Sequence, residues 1–182
     1  MFHSFNIVAV LAIAAVLITF NRAENCTEGE KECLTSRLLE GGETAVIALT
    51  SDPEPQQFCQ RFQRTSISQD GNEATYNVTF REAASRDTPI VVNATLEVEG
   101  NKTLSVAYGN ETEKDIQNIL YIEPGNCFVG QSNRTGQTLY LFKFVPGKQD
   151  DCSCIKKFKE LSGGKVTVLR DQRICKDMSA QP

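Results

Sequence analysis

The stretch "VVNATLEVEGNKTLSVAYGNET", Val91–Thr112, alternates apolar and polar residues on either side of Gly100–Asn101. Successive side chains of a strand point to opposite faces, so it reads as two strands, Ile90–Val98 and Thr103–Tyr108, joined by a tight turn. One face of the first carries Ile90, Val92, Ala94, Leu96 and Val98; the other carries Val91, Asn93, Thr95 and Glu97. The same stretch holds three Asn-x-Thr acceptor sites, at Asn93, Asn101 and Asn110. A glycan is bulky and hydrated, so a strand that bears one must keep that face in water. The preceding segment, Ala74–Glu82, repeats the pattern, with Ala74, Tyr76, Val78 and Phe80 in line and Asn77 opposite. Asn133 falls in a turn and Asn25 lies near the N-terminus, which makes six acceptor sites: Asn25, Asn77, Asn93, Asn101, Asn110 and Asn133. The pattern describes a sheet with one wet face and one apolar face.

Further strand-like segments recur at the spacing of an all-β sandwich or barrel: Thr44–Leu49, Gln57–Thr65, Asp115–Ile122, Cys127–Gln131 and Thr138–Val145. Breakers such as "QDGNE", "SRDTP", "EPGN" and "NRTGQ" separate them. With the three above, that makes eight. A short helix is expected before Gly41–Gly42. A second is expected in "DDCSCIKKFKELSGG", where Asp150 or Asp151 can cap it and Gly163–Gly164 stop it. Cys154, Ile155, Phe158 and Leu161 share one face of that helix at helical spacing. A last strand is expected over Lys165–Leu169. One helix cannot cover the apolar face of eight strands, so the sheet must pack on another sheet or close on itself. Sequential strands with short links favour an eight-stranded antiparallel up-and-down barrel with the C-terminal helix outside. Such a barrel is filled by side chains or holds one small ligand.

The N-terminal run "FNIVAVLAIAAVLITF", followed by "NRA", reads as a secretory signal peptide over residues 1–23, in preference to a membrane anchor. Residues 24–182 then form one domain. Cleavage removes Arg22 and leaves 18 basic against 23 acidic residues, a net charge of −5. No basic patch stands out, so neither nucleic acid nor an anionic membrane is an expected partner. His3, the single histidine, lies in the signal segment, and there is no tryptophan. Without histidine, Ser-His and Cys-His nucleophilic mechanisms and His-ligated zinc are excluded. "GGK" lacks the earlier glycine and following Ser or Thr of a phosphate loop. Catalysis, a cofactor and a metal are therefore not expected. The seven cysteines, Cys26, Cys33, Cys59, Cys127, Cys152, Cys154 and Cys175, read as disulfides in a secreted chain, with one left over.

The segments "NCTEGE", "EGGETAVIALTSDPEPQQFC", "GNETEKDIQNILY", "GNCFVG" and "DCSCIKKFKELSGG", with the terminal Cys175, resemble the tick salivary lipocalins, within the histamine-binding-protein-like superfamily, of the moubatin-like branch. Cysteine order and spacing are the specific part of the likeness, which covers most of the chain after residue 23. The resemblance implies three disulfides: Cys59–Cys175, Cys127–Cys154 and Cys26–Cys152, with Cys33 extra and an exchange of Cys26 and Cys33 left open. It also implies a ligand cavity in a secreted monomer that dampens host inflammation or immunity.

The residues expected to point inward are Tyr76, Val78, Phe80, Val92, Ala94, Leu96, Leu104, Val106, Tyr108, Tyr121, Phe128 and Phe142, joined by Gln117 and, at a strand end, Glu82. Three ligand classes can be weighed by charge. A biogenic amine such as histamine or serotonin needs a desolvated carboxylate and aromatic rings. Only Glu82 lies in line with an inward face, which supports an amine weakly. An eicosanoid needs cationic grips. Eicosanoid-binding relatives imply such groups near Gln57, Gln117, Asn126 and Phe128, where none stands, and Arg61 or Lys143 would have to substitute. A neutral apolar ligand such as a sterol needs a greasy cavity and a few hydroxyl partners, which Tyr76, Tyr108, Tyr121 and Gln117 could supply. The sequence thus favours sequestration of a small hydrophobic or amphipathic mediator. A different class of function, suggested by relatives that block complement, is capture of a host immune protein on loops without acceptor sites: "TSDPEPQQ", "SRDTP" and "PGKQDD".

Overall fold

The structure is a computed structural model and describes residues 35–84, 88–145 and 152–175. The elements run α1 Thr35–Gly41, β1 Thr44–Thr50, β2 Gln57–Ile67, β3 Glu73–Glu82, β4 Ile90–Gly100, β5 Thr103–Tyr108, β6 Asp115–Glu123, β7 Cys127–Ser132, β8 Thr138–Phe144, α2 Cys152–Leu161, β9 Thr167–Val168 and α3 Gln172–Cys175. Strands β1 to β8 pair antiparallel in sequence order, and β1 pairs with both β8 and β2, so the sheet closes into a barrel. The eight expected strands are all present, β2 and β4 each two residues longer than their periodicity indicates. Of the expected last strand only Thr167–Val168 pairs, with Leu49 and Thr50 on the edge of β1 opposite β8.

Register follows the alternation. In the β3–β4 ladder Tyr76 faces Ala94 and Val78 faces Val92, while Asn77 faces Asn93. The first two pairs point into the core; both asparagines are exposed on the outer wall. Asn101, Asn110 and Asn133 are exposed in turns.

Two hydrophobic clusters result. The inner one fills the barrel with Phe62, Tyr76, Val78, Leu104, Val106, Phe128 and Phe144 among others. The outer one lies beneath α2, where Cys154 and Phe158 are fully buried against Val129, Leu139 and Leu141 of the opposite strand faces. Burying a side chain the size of Phe158 is worth about 1.5–3 kcal/mol, enough to hold a ten-residue helix that would be marginal alone. Leu161, expected on this face, is exposed at the last residue of the helix and does not join the cluster. Gly163 and Gly164, at φ 60° and 82°, turn the chain back, with Gly164 N–H donating to Lys159 C=O at 2.9 Å.

One expected inward residue is corrected. Tyr121 packs with the outer cluster and donates to Glu123 Oε2 at 3.5 Å. The cause is a bulge: Ile119 pairs with Gly130 but Tyr121 pairs with Val129, so one extra residue, Leu120, reverses the face. Ile122 takes the inward place instead.

Cys59 joins Cys175 across 116 residues, and Cys127 joins Cys154, fixing α2 to β7. The longer link removes about 4–5 kcal/mol of unfolded-chain freedom in the loop-closure model. Cys59 sits at φ 58° in a β2 bulge and donates its N–H to Leu169 C=O at 3.0 Å. The bond to Cys175 and this hydrogen bond hold a backbone shape that a non-glycine residue rarely adopts. Residues 1–34, with the expected signal peptide, Asn25, Cys26 and Cys33, the Cys152 side chain, Ser85–Asp87 and residues 146–151 lie outside what is described, and with them the Cys26–Cys152 pairing and the helix cap.

Helix α1 covers one end of the barrel. Leu38 and Leu39 enter the inner cluster, Thr35 Oγ1 donates to Gly100 C=O at 2.9 Å, and Arg64 donates to the carbonyls of Leu39 and Glu40. Gly42 lets the chain pass: a Cβ there would stand 2.7 Å from Leu38 O and 3.0 Å from Phe144 Cε1.

Candidate functional site: a cavity at the open end of the barrel

At the end away from α1, the β1–β2, β5–β6 and β7–β8 loops border a mouth that leads into a cavity of about 580 Å3. Val78, Phe80 and Val92 line it from β3 and β4, Ile47 from β1, Leu169 from beyond β9, and Tyr140 and Phe142 from β8. Deeper, towards α1, a much smaller void of about 40 Å3 is lined by Leu38, Phe62, Tyr76, Leu96, Leu104, Val106, Phe128 and Phe144. Tyr108, Gln117 and Phe142 border both spaces and form the partition between them. Phe142 is stacked on Phe128 (centroids 4.3 Å, 6° between planes) and packs 5.8 Å from Phe62 and 6.5 Å from Tyr140. An aromatic ladder therefore runs the length of the interior.

The polar chemistry belongs to the larger cavity. Asp115 opens β6 on the inward face and is 6% exposed. Its carboxylate accepts from Ser132 Oγ at 2.9 and 3.0 Å, from Arg134 N–H at 3.2 Å and from Gln117 Nε2. These donors are neutral. Among the described residues no Lys or Arg side-chain nitrogen lies within 4.0 Å of it; the Arg134 guanidinium turns to Glu111 instead, at 2.6 Å. Among the described residues of the cavity lining, Asp52, Glu111 and Asp115 thus face one cation, Arg134. Burial, then the nearby Asp115 charge, push the Tyr108 phenol well above its ordinary range. Burial likewise raises Tyr140, against the lowering effect of a Thr135 hydrogen bond. Both stay protonated at neutral pH and can donate. The Glu111 contact raises Arg134 further, so its charge is permanent.

Of the residues expected inside, Val78, Phe80, Val92, Tyr108, Gln117 and Phe142 line the large cavity, while Tyr76, Leu96, Leu104, Val106 and Phe128 line the small void and Ala94 packs in the core. Tyr76 is engaged structurally, donating to Gly42 C=O at 3.1 Å. Glu82 is a correction: it is exposed at the end of β3 and borders neither space. Arg61 and Lys143 line neither. Asp115, Ser132, Arg134, Glu111, Asp52 and Tyr140 were not anticipated. Two of them carry a sequence signal: Asp115 shares parity with Gln117, and Tyr140 with Phe142. Among the described residues, Glu123 with Cys127 and Cys154 is the group whose spacing could suit a metal, but the two sulfurs are bonded to each other.

No protein-family model and no curated protein matches the chain. Among solved structures it is similar to AM182, crystallised as a serotonin complex, with a TM-score of 0.56 at 16% identity over 80% of this chain and 94% of that one. It is also similar to lobster apocrustacyanin A1 (TM-score 0.52, 16% identity, 70% and 76% covered) and to apocrustacyanin C2 (0.55, 14%, 79% and 83%). At such identities the likeness is one of fold: a closed eight-stranded lipocalin-type barrel with a helix packed outside.

Proposed function

We propose that this chain is a secreted lipocalin of the tick salivary, moubatin-like kind, cleaved after residue 23, that sequesters a small amphipathic amine at the open end of its barrel. It acts as a stoichiometric scavenger of a host mediator, not as an enzyme, and so dampens inflammation or immunity. The observation that carries this reading is Asp115, a buried carboxylate on the cavity wall whose hydrogen-bond partners are all neutral. A cation placed there meets a buried carboxylate that no cationic side chain hydrogen-bonds, with the rings of Tyr108, Tyr140, Phe80 and Phe142 around its body. A volume of about 580 Å3 is within the range of ligand cavities. An eicosanoid carboxylate would face three acidic side chains and one arginine already held by Glu111. A sterol would leave Asp115 without a counter-charge. The serotonin bound by the fold neighbour AM182 is of the favoured class. The two disulfides suit an oxidising compartment, and no helix of the described residues is long and apolar enough to cross a membrane.

Titration calorimetry with serotonin, histamine, cholesterol and a leukotriene tests this. The expected outcome is binding of an amine, weakened about 100-fold by Asp115→Asn, or about 2.7 kcal/mol. Binding of sterol or leukotriene with no heat from either amine refutes it.

A further inference from the structure

We infer that Gln117 forms a second, deeper hydrogen-bond subsite, so that the ligand must carry a donor on its aromatic body, a hydroxyl or ring N–H, as well as the ammonium held by Asp115. The inference rests on the amine reading and extends it from one anchor to two.

Gln117, the third residue of β6, is 9% exposed and lies one inward position deeper than Asp115. Its amide has one defensible orientation. Nε2 donates to the Asp115 carboxylate, and the reverse would set a carbonyl oxygen against a carboxylate. Oε1 is therefore directed away from Asp115, and it is buried without a hydrogen-bond partner. Buried amide oxygens are normally satisfied, and one left unsatisfied calls for an explanation in the function of the site. Here the explanation is positional. Gln117 stands at the partition that borders both the large cavity and the inner void, among the otherwise apolar faces of Phe128 and Phe142. Gln117 pairs with Ser132 of β7, and Gly130, two residues earlier on that strand and paired with Ile119, lies beside the amide: an added Cβ there would stand 3.4 Å from Oε1. Glycine leaves the space next to this oxygen free of a side chain. A single amide thus steadies the carboxylate that takes the charged end and offers a bare acceptor to whatever group reaches further in. Wholly apolar ligand tails leave that acceptor unpaired, which is how sites built to hydrogen-bond a group reject its absence.

The test compares tyramine with phenethylamine, which differ by one hydroxyl on the ring. The wild type should bind tyramine about 10- to 100-fold more tightly, the span expected for satisfying a buried acceptor. Gln117→Met keeps the volume and leaves Asp115 its Ser132 and Arg134 donors; it should reduce the preference to less than about threefold. Gly130→Ala is compatible with the backbone there and sets a methyl in van der Waals contact with Oε1, so by covering that side of the acceptor it should erode the same preference in a protein with unchanged circular dichroism. Equal, Asp115-dependent binding of both amines overturns the Gln117 subsite and leaves the amine reading standing. A tyramine preference that survives in Gln117→Met overturns it too. Failure of both amines to bind the wild type sinks the amine reading and this inference with it.

Discussion

Towards α1, the barrel interior packs Leu38, Phe62, Tyr76 and Phe144 around a void of about 40 Å3; towards the loops, the same eight strands enclose about 580 Å3 walled by Asp115, Ser132, Tyr108 and Tyr140. Strand number and closure are shared, so the difference lies in the side chains. At the α1 end, large rings and two leucines from the helix fill the available volume. At the loop end, short or polar residues stand at the inward positions of β6 and β7: Asp115, Gln117, Gly130 and Ser132. One end supplies packing and the other supplies chemistry, and Phe142 with Gln117 marks where the change occurs.

Substitutions at each end test that division. The largest expected effect is from Leu39→Ala, which removes a fully buried side chain from the helix that covers the packed end. Urea unfolding should show a loss of about 2–5 kcal/mol, with amine affinity changed less than about threefold. A large loss of affinity would mean that the two ends are not separate. Asp115→Asn is the converse: an affinity defect with a stability cost of only about 1–2 kcal/mol, from weaker acceptance of its neutral donors.

Tyr76→Phe comes next. It leaves the buried Gly42 carbonyl without its donor and should cost about 1 kcal/mol. Burial raises the folded Tyr76 phenol to about 12, with Arg64 opposing, against about 10 in the unfolded chain. Between these values the unfolded state loses a proton that the folded state keeps, so the wild type loses stability as pH rises from about 10 to 12. The Phe variant should lose less over this window, while Tyr108 and Tyr140 still contribute to the decline. Equal alkaline slopes in denaturation curves would remove Tyr76 from this account. The smallest effect is at the rim. Arg134→Ala breaks an exposed pair with Glu111 and should change stability by less than about 1 kcal/mol. It should quicken amine association by removing the cation from the mouth, most clearly at low salt.

Much of this was legible in the residues. Alternation in Val91–Thr112 places Asn93 outside and Val92 and Leu96 inside, because a solvated face and a packed face demand different residues. The same reasoning sets Asn77 directly opposite Asn93. Two failures have local causes. Strict parity put Tyr121 inside, and the β6 bulge that reverses it leaves no mark in "NILYIE". Asp115 opens the expected strand Asp115–Ile122 and shares parity with Gln117, but a carboxylate at a strand end is ordinarily solvated, which hides its inward role. The partition at Phe142 and Gln117 depends on how rings from four strands meet, which no single segment encodes.

The seat of α1 has a kinetic consequence. With that end covered, a guest must arrive and depart by the same door. Any obstruction at this door, including a sugar chain on Asn110 or Asn133 in the two loops that carry Glu111 and Arg134, raises one shared barrier. Uptake and escape would then slow by the same factor, lengthening residence without altering the equilibrium constant.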